Sequence, residues 1–86
     1  MKIKSGFALR QVADSYIVMN LGGENTLGGM ITLNETGAFI WKEIEAGKNQ
    51  EEIAKSICEA YEIDFETALK DVLAFTSKMS QEGIFE

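Results

Sequence analysis

The stretch Met30-Ile31-Thr32-Leu33-Asn34-Glu35-Thr36-Gly37-Ala38-Phe39-Ile40-Trp41 changes character in mid-course. Met30 to Leu33 reads as a short strand. Asn34 is a strong helix N-cap, because its side-chain oxygen can accept a backbone N–H that the first turn leaves unpaired. The spacing predicts a helix from there to about Ala46, stopped by Gly47 in the left-handed conformation. Within it Ile40, Trp41 and Ile44 read as core, and Thr36-Gly37 as a point of close packing against a sheet.

Upstream, Phe7 to Val12 alternates as a half-buried strand should, with Phe7 and Leu9 on one side and Arg10 on the other. Asp14-Ser15 is a turn signal, and Tyr16 to Leu21 is a second strand, so the two pair as a hairpin. Gly22 to Gly29, with Asn25 and Thr26, reads as a flexible connection to the third strand. Downstream, Asn49 with Glu52 has capping-box spacing and opens a second helix to about Tyr61. Asp64 opens a third helix, supported by Glu66 in its first turn and closed by Gly83. Three strands followed by three helices predict an α+β fold: a small winged helix-turn-helix-like domain with a three-stranded antiparallel sheet.

The third helix is wider on its apolar side than one core requires. At ~100° per residue, its apolar positions from Phe65 to Met79 cover an arc of ~160°, against the ~100° stripe typical of a surface helix. Leu73 falls on one flank of that arc and Phe75 on the other. One flank is therefore expected to line a groove.

The chain has 86 residues and 9.5 kDa, enough for a single domain over 1–86 with one thin core. It has no His and one Cys, which removes imidazole- and thiolate-built metal sites and the Ser-His or Cys-His forms of nucleophilic catalysis. Residues 1–33 carry three basic and two acidic side chains; residues 34–86 carry five basic and twelve acidic, a net of −7. A groove walled by the third helix should then favour a cationic ligand. Met1 to Gly6 lacks the apolar run of a signal peptide, and no apolar stretch approaches ~18 residues. With a lone Cys58 unable to form an internal disulfide, the expectation is a soluble cytoplasmic domain with no membrane contact.

Several motifs have ordinary explanations. Gly23 and Gly28 have the spacing of a phosphate loop but lack the lysine that follows it, so they read as loop glycines. Asn34-Glu35-Thr36 fits a glycosylation triplet, but a helix cap accounts for it. Cys58 edges an apolar helix face and reads as a packing residue. Glu51-Glu52 and Glu62-Asp64-Glu66 miss the calcium-loop pattern and sit at helix starts, where acids complement the dipole. No cofactor or metal is expected. A winged-helix DNA-binding regulator is the alternative function, since the predicted fold suits it. Against it, the candidate reading helix offers only Lys70 and Lys78 beside Glu66, Asp71 and Glu82, so no nucleic-acid partner is expected.

The run from Gly29 to Trp41, with its Leu33-Asn34-x-Thr36-Gly37-x-x-Ile40-Trp41 core, resembles the pyrroloquinoline quinone (PQQ) synthesis protein D, or PqqD-like, family. The resemblance extends over nearly the whole chain. It implies a RiPP recognition element, a non-catalytic peptide chaperone that binds the leader of a ribosomally made precursor peptide. The domain would then present that peptide to a modifying enzyme, commonly of the radical S-adenosylmethionine (SAM) type. Similar domains serve many peptide products, PQQ biosynthesis among them. The leader is expected to add as a strand beside the third strand, in a groove walled by the third helix. The resemblance thus assigns peptide binding to Met30, Ile31, Thr32 and Leu33 on the strand and to Leu69, Lys70 and Leu73 on the helix. Leu73 is preferred to Phe75 because the larger ring is the better core filler. The same free edge leaves self-pairing into a homodimer open.

Overall fold

The computed structural model describes residues 2–20 and 30–85. The loop reading of Gly22 to Gly29, the phosphate-loop spacing within it and Leu21 lie outside the described residues. Three strands, β1 (Phe7–Val12), β2 (Ser15–Asn20) and β3 (Met30–Leu33), precede three helices, α1 (Glu35–Glu45), α2 (Gln50–Tyr61) and α3 (Phe65–Gln81). This is the expected α+β order. The strands form an antiparallel sheet in the order β1-β2-β3.

The predicted caps set the helix boundaries. The Gly37 N–H donates to Asn34 Oδ1 at 2.7 Å and starts α1. Asn49 and Glu52 exchange side-chain and backbone hydrogen bonds at the head of α2, a complete capping box. Asp64 opens α3, accepting the Thr67 hydroxyl at 2.7 Å and the Thr67 N–H at 3.2 Å. Gly47, at φ +88°, carries the chain out of α1 as expected.

The hairpin register fixes the direction of every hydrogen bond in the sheet. β1 and β2 are joined by the two-residue turn Ala13-Asp14, with Ala13 at φ +54° and Val12 opposite Ser15. The residues closing such a turn are hydrogen-bonded to each other, and along an antiparallel pair bonded and non-bonded positions alternate. Ser15, Ile17 and Met19 therefore turn their backbone groups toward β1, and Tyr16 and Val18 turn theirs toward β3. Their partners are Leu33 and Ile31.

Two buried clusters hold the layers together. Ile40, Ile44, Ile53, Ile57, Ala68 and Val72 join the three helices; Val18, Leu33, Trp41, Met79 and Ile84 join the sheet to α1 and α3. Phe75 packs against both. Ile40, Trp41 and Ile44 are buried, as predicted, and Cys58 is half-buried against the helical cluster. The chain ends meet where Ile3 bridges Phe85 and the Lys4 N–H donates to the Ile84 carbonyl at 2.8 Å. Among the described residues no helix is long and apolar enough to cross a membrane, and no group of three His, Cys, Asp or Glu side chains could hold a metal ion.

The α3 cap should couple the stability of the domain to pH. Hydrogen bonds from the Thr67 hydroxyl, then from the Thr67 N–H, hold the Asp64 carboxyl below its ordinary value. A carboxyl lowered in the folded state stabilises fully above its unfolded value, and that stabilisation disappears as pH falls through the folded value. Asp64→Asn keeps the acceptor but cannot titrate. Melting temperature should therefore fall less steeply on acidification in the variant than in the parent; equal acid limbs would show that the cap does not couple to pH.

Candidate functional site

β3 pairs with β2 on one side only, which leaves it at the edge of the sheet among the described residues. Because Ile31 and Leu33 turn their main-chain groups toward β2, the N–H and C=O of Thr32 point out from the free edge, with the backbone of Met30 in the same phase. The side chains divide the other way. Ile31 and Leu33 pack into the sheet cluster, while Thr32 is exposed. A chain laid along this edge would meet unpaired backbone donors and acceptors.

The end of β3 runs directly into a cavity of about 290 Å³. Asn34, Thr36, Gly37 and Ile40 form its wall at the β3–α1 corner, and Asp71, Ala74 and Phe75 form its wall on α3. Gly37 sets the width of this corner. A Cβ built there would stand 3.2 Å from Phe75 Cε2, 3.2 Å from Asn34 Oδ1 and 3.4 Å from Leu33 Cβ. The predicted close approach at Thr36-Gly37 thus brings α1 against α3 as well as against the strand.

The flank of α3 at this corner is the one that bears Phe75. Leu73, 44% exposed, lies on the other flank, where it shares a shallow depression with Gln50, Thr76 and Phe85. Leu69 is half-buried against the helical core, and Lys70 is on the exposed face. Of the helix residues expected to bind peptide, the structure places none in the wall of the cavity beside β3. Phe75 fills core and borders the cavity at once, a double role that the choice between Leu73 and Phe75 did not foresee. Neither Asp71 nor Ala74 is among the residues expected from the sequence to bind peptide. Their signal was present in their position one turn and one residue before Phe75.

A second cavity, about 570 Å³, lies elsewhere, between the N-terminal segment Lys2–Ser5 and the end of α1 at Ile44 and Glu45. It takes no residue from β3 or α3.

The family description "Coenzyme PQQ synthesis protein D (PqqD)" matches residues 15–84. The chain belongs to the PqqD family. Two solved structures share its fold. One is described as TbiB1 in complex with the TbiA(β) leader peptide, with a TM-score of 0.82 and 28% identity over 100% of this chain and 95% of that chain. The other is lasso peptide synthetase B1 complexed with the leader peptide, with a TM-score of 0.80 and 18% identity over 96% of this chain and 93% of that chain. No curated protein matches the chain in sequence.

The two flanks of α3 should respond differently to charge. Leu73→Glu places a carboxylate on an exposed position and should change stability by no more than about 0.5 kcal/mol. Phe75→Glu removes a ring that joins both clusters and brings a second carboxylate beside Asp71. It should cost at least about 2 kcal/mol in urea melts. Equal losses would mean that the two flanks are packed alike.

Proposed function

We propose that this PqqD-family domain captures the leader segment of a ribosomally made precursor peptide by adding it as a fourth strand along the free edge of β3. Side chains of the bound peptide then seat against the Phe75 flank of α3. The domain itself carries out no chemistry; it presents the peptide to a modifying enzyme, of the radical SAM type, in the cytoplasm. The observation that carries this reading is the edge at Thr32, with no partner strand among the described residues, two residues before Asn34 in the wall of the cavity that Phe75 also lines. The TbiB1 complex, at 28% identity over the whole chain, supports it. Strand addition draws affinity from the main chain and selectivity from neighbouring side-chain pockets, roles that the β3 edge and the corner cavity would fill. Thr32 is therefore the central strand residue, with Met30 beside it, whereas Ile31 and Leu33 shape the strand from the core side. Self-pairing of two copies through β3 would use the same edge and compete with the peptide.

Proline substitutions along β3 separate edge from interior. Thr32→Pro removes a donor that faces solvent in the free domain, so the fold should persist. It should weaken a peptide selected on the parent protein by about tenfold or more, the order of one main-chain hydrogen bond. Ile31→Pro removes a β2–β3 hydrogen bond and should destabilise the domain itself by ~3 kcal/mol. Calorimetry paired with thermal melts reads both. A Thr32→Pro variant that binds as tightly as the parent would refute strand addition at this edge.

A further inference from the structure

The cavity at the β3–α1 corner mixes polar and apolar walls, with Asn34 and Thr36 on the α1 side and one charged group, Asp71, on α3. Ile40 is buried beneath it, and Ala74 and Phe75 form its α3 side. Asn34 Oδ1 already accepts the Gly37 N–H. The Asp71 carboxylate, by contrast, has no hydrogen bond or ion pair among the described residues. It is exposed in the free domain, where water solvates it, but a peptide strand on β3 would bring a side chain over it and exclude that water. An unpaired carboxylate covered in this way destabilises the complex unless the incoming group neutralises it.

From this arrangement we infer that the corner cavity reads one cationic side chain of the bound peptide, an arginine in preference to a lysine, through Asp71. The inference rests on the proposed role of β3 as a peptide-accepting edge. Three features select the occupant. At about 290 Å³ the space falls just below the range of small-molecule sites, ~300–1,000 Å³, and suits a single long side chain. Ile40, Ala74 and Phe75 match a methylene stem, and the single carboxylate matches a charged head. The Phe75 ring beside that carboxylate favours a planar guanidinium, which can lie against an aromatic face and fork onto a carboxylate, over a compact ammonium. The field of the whole helical half acts in the same sense, since residues 34–86 carry a net charge of −7.

The test is a displayed library of random peptides, selected in parallel on the parent protein, Asp71→Asn and Asp71→Lys. Asp71 is exposed, so both variants should keep the parent's melting temperature. The parent pool should fix arginine, with lysine second, at one position of a common register; the Asp71→Lys pool should lose it or replace it with an acid. In one selected peptide, arginine→citrulline removes the charge and keeps the shape. It should cost about tenfold on the parent and less than about threefold on Asp71→Asn, the coupling expected of a direct pair. Pools with no basic position, or a citrulline loss equal on both proteins, would overturn the inference and leave the peptide reading standing, provided that Thr32→Pro still weakens binding by about tenfold or more. Failure to enrich any peptide, or peptides indifferent to Thr32→Pro, would overturn both.

Discussion

The hydrogen bond from the Gly37 N–H to Asn34 Oδ1 fixes the corner on which the rest of the domain depends. It satisfies a donor in the first turn of α1 and turns the chain from strand to helix one residue after Leu33. Position 37 has no side chain, so the ring edge of Phe75 and the Cβ of Leu33 close to within 3.2 and 3.4 Å of the site a Cβ would take. A methyl group there would press on the cap oxygen, the α3 ring and the strand together. One glycine therefore sets both the sharpness of the turn and the gap between β3 and α3.

From that corner the two cores follow. α1 is short, yet it contributes Ile40 and Ile44 to the helical cluster and Trp41 to the sheet cluster, because successive residues on a helix point about 100° apart. Trp41 is fully buried and its indole N–H has no acceptor among the described residues. An unmade hydrogen bond of that kind costs ~1–3 kcal/mol. The ring's large apolar area offsets it beneath a three-stranded sheet that has little else to fill the space. Phe75 then joins the clusters from α3, which is why the residue bordering the cavity is also one the fold cannot easily lose.

The elements were legible in the sequence because their signals are local. Asn34, Asn49 and Asp64 each cap the helix they were expected to cap, and Gly47 ends α1 in the left-handed conformation. The width of the α3 apolar arc was legible too, and so were its two flanks. Which flank turns toward β3 was not, because the rotation of α3 about its axis is set by contacts with Leu33 and Gly37, more than thirty residues away in the chain. Size alone does not separate core from cavity wall. Phe75 was expected to be core and therefore not groove, but a large ring at the edge of a thin domain can be both. The phase of β3 is a similar case. Its hydrogen-bond direction is inherited through β2 from the turn at Ala13-Asp14, so it became readable only with the sheet register in hand.

This inheritance explains how so small a domain can offer an edge without losing its own sheet. In each strand the backbone groups alternate between two neighbours, and the side chains alternate between two faces with the same period. At β3 the residues whose backbone groups hold the sheet, Ile31 and Leu33, are also those whose side chains hold the core. Thr32 does neither: its side chain is exposed, and its backbone groups face away from β2 with no partner strand among the described residues. A strand added there meets only groups that the fold does not use, so it need break nothing to bind. The edge itself is indifferent to sequence, since every peptide carries the same main chain. Any discrimination must then come from side chains at its end, where α3 presents Phe75 and Asp71.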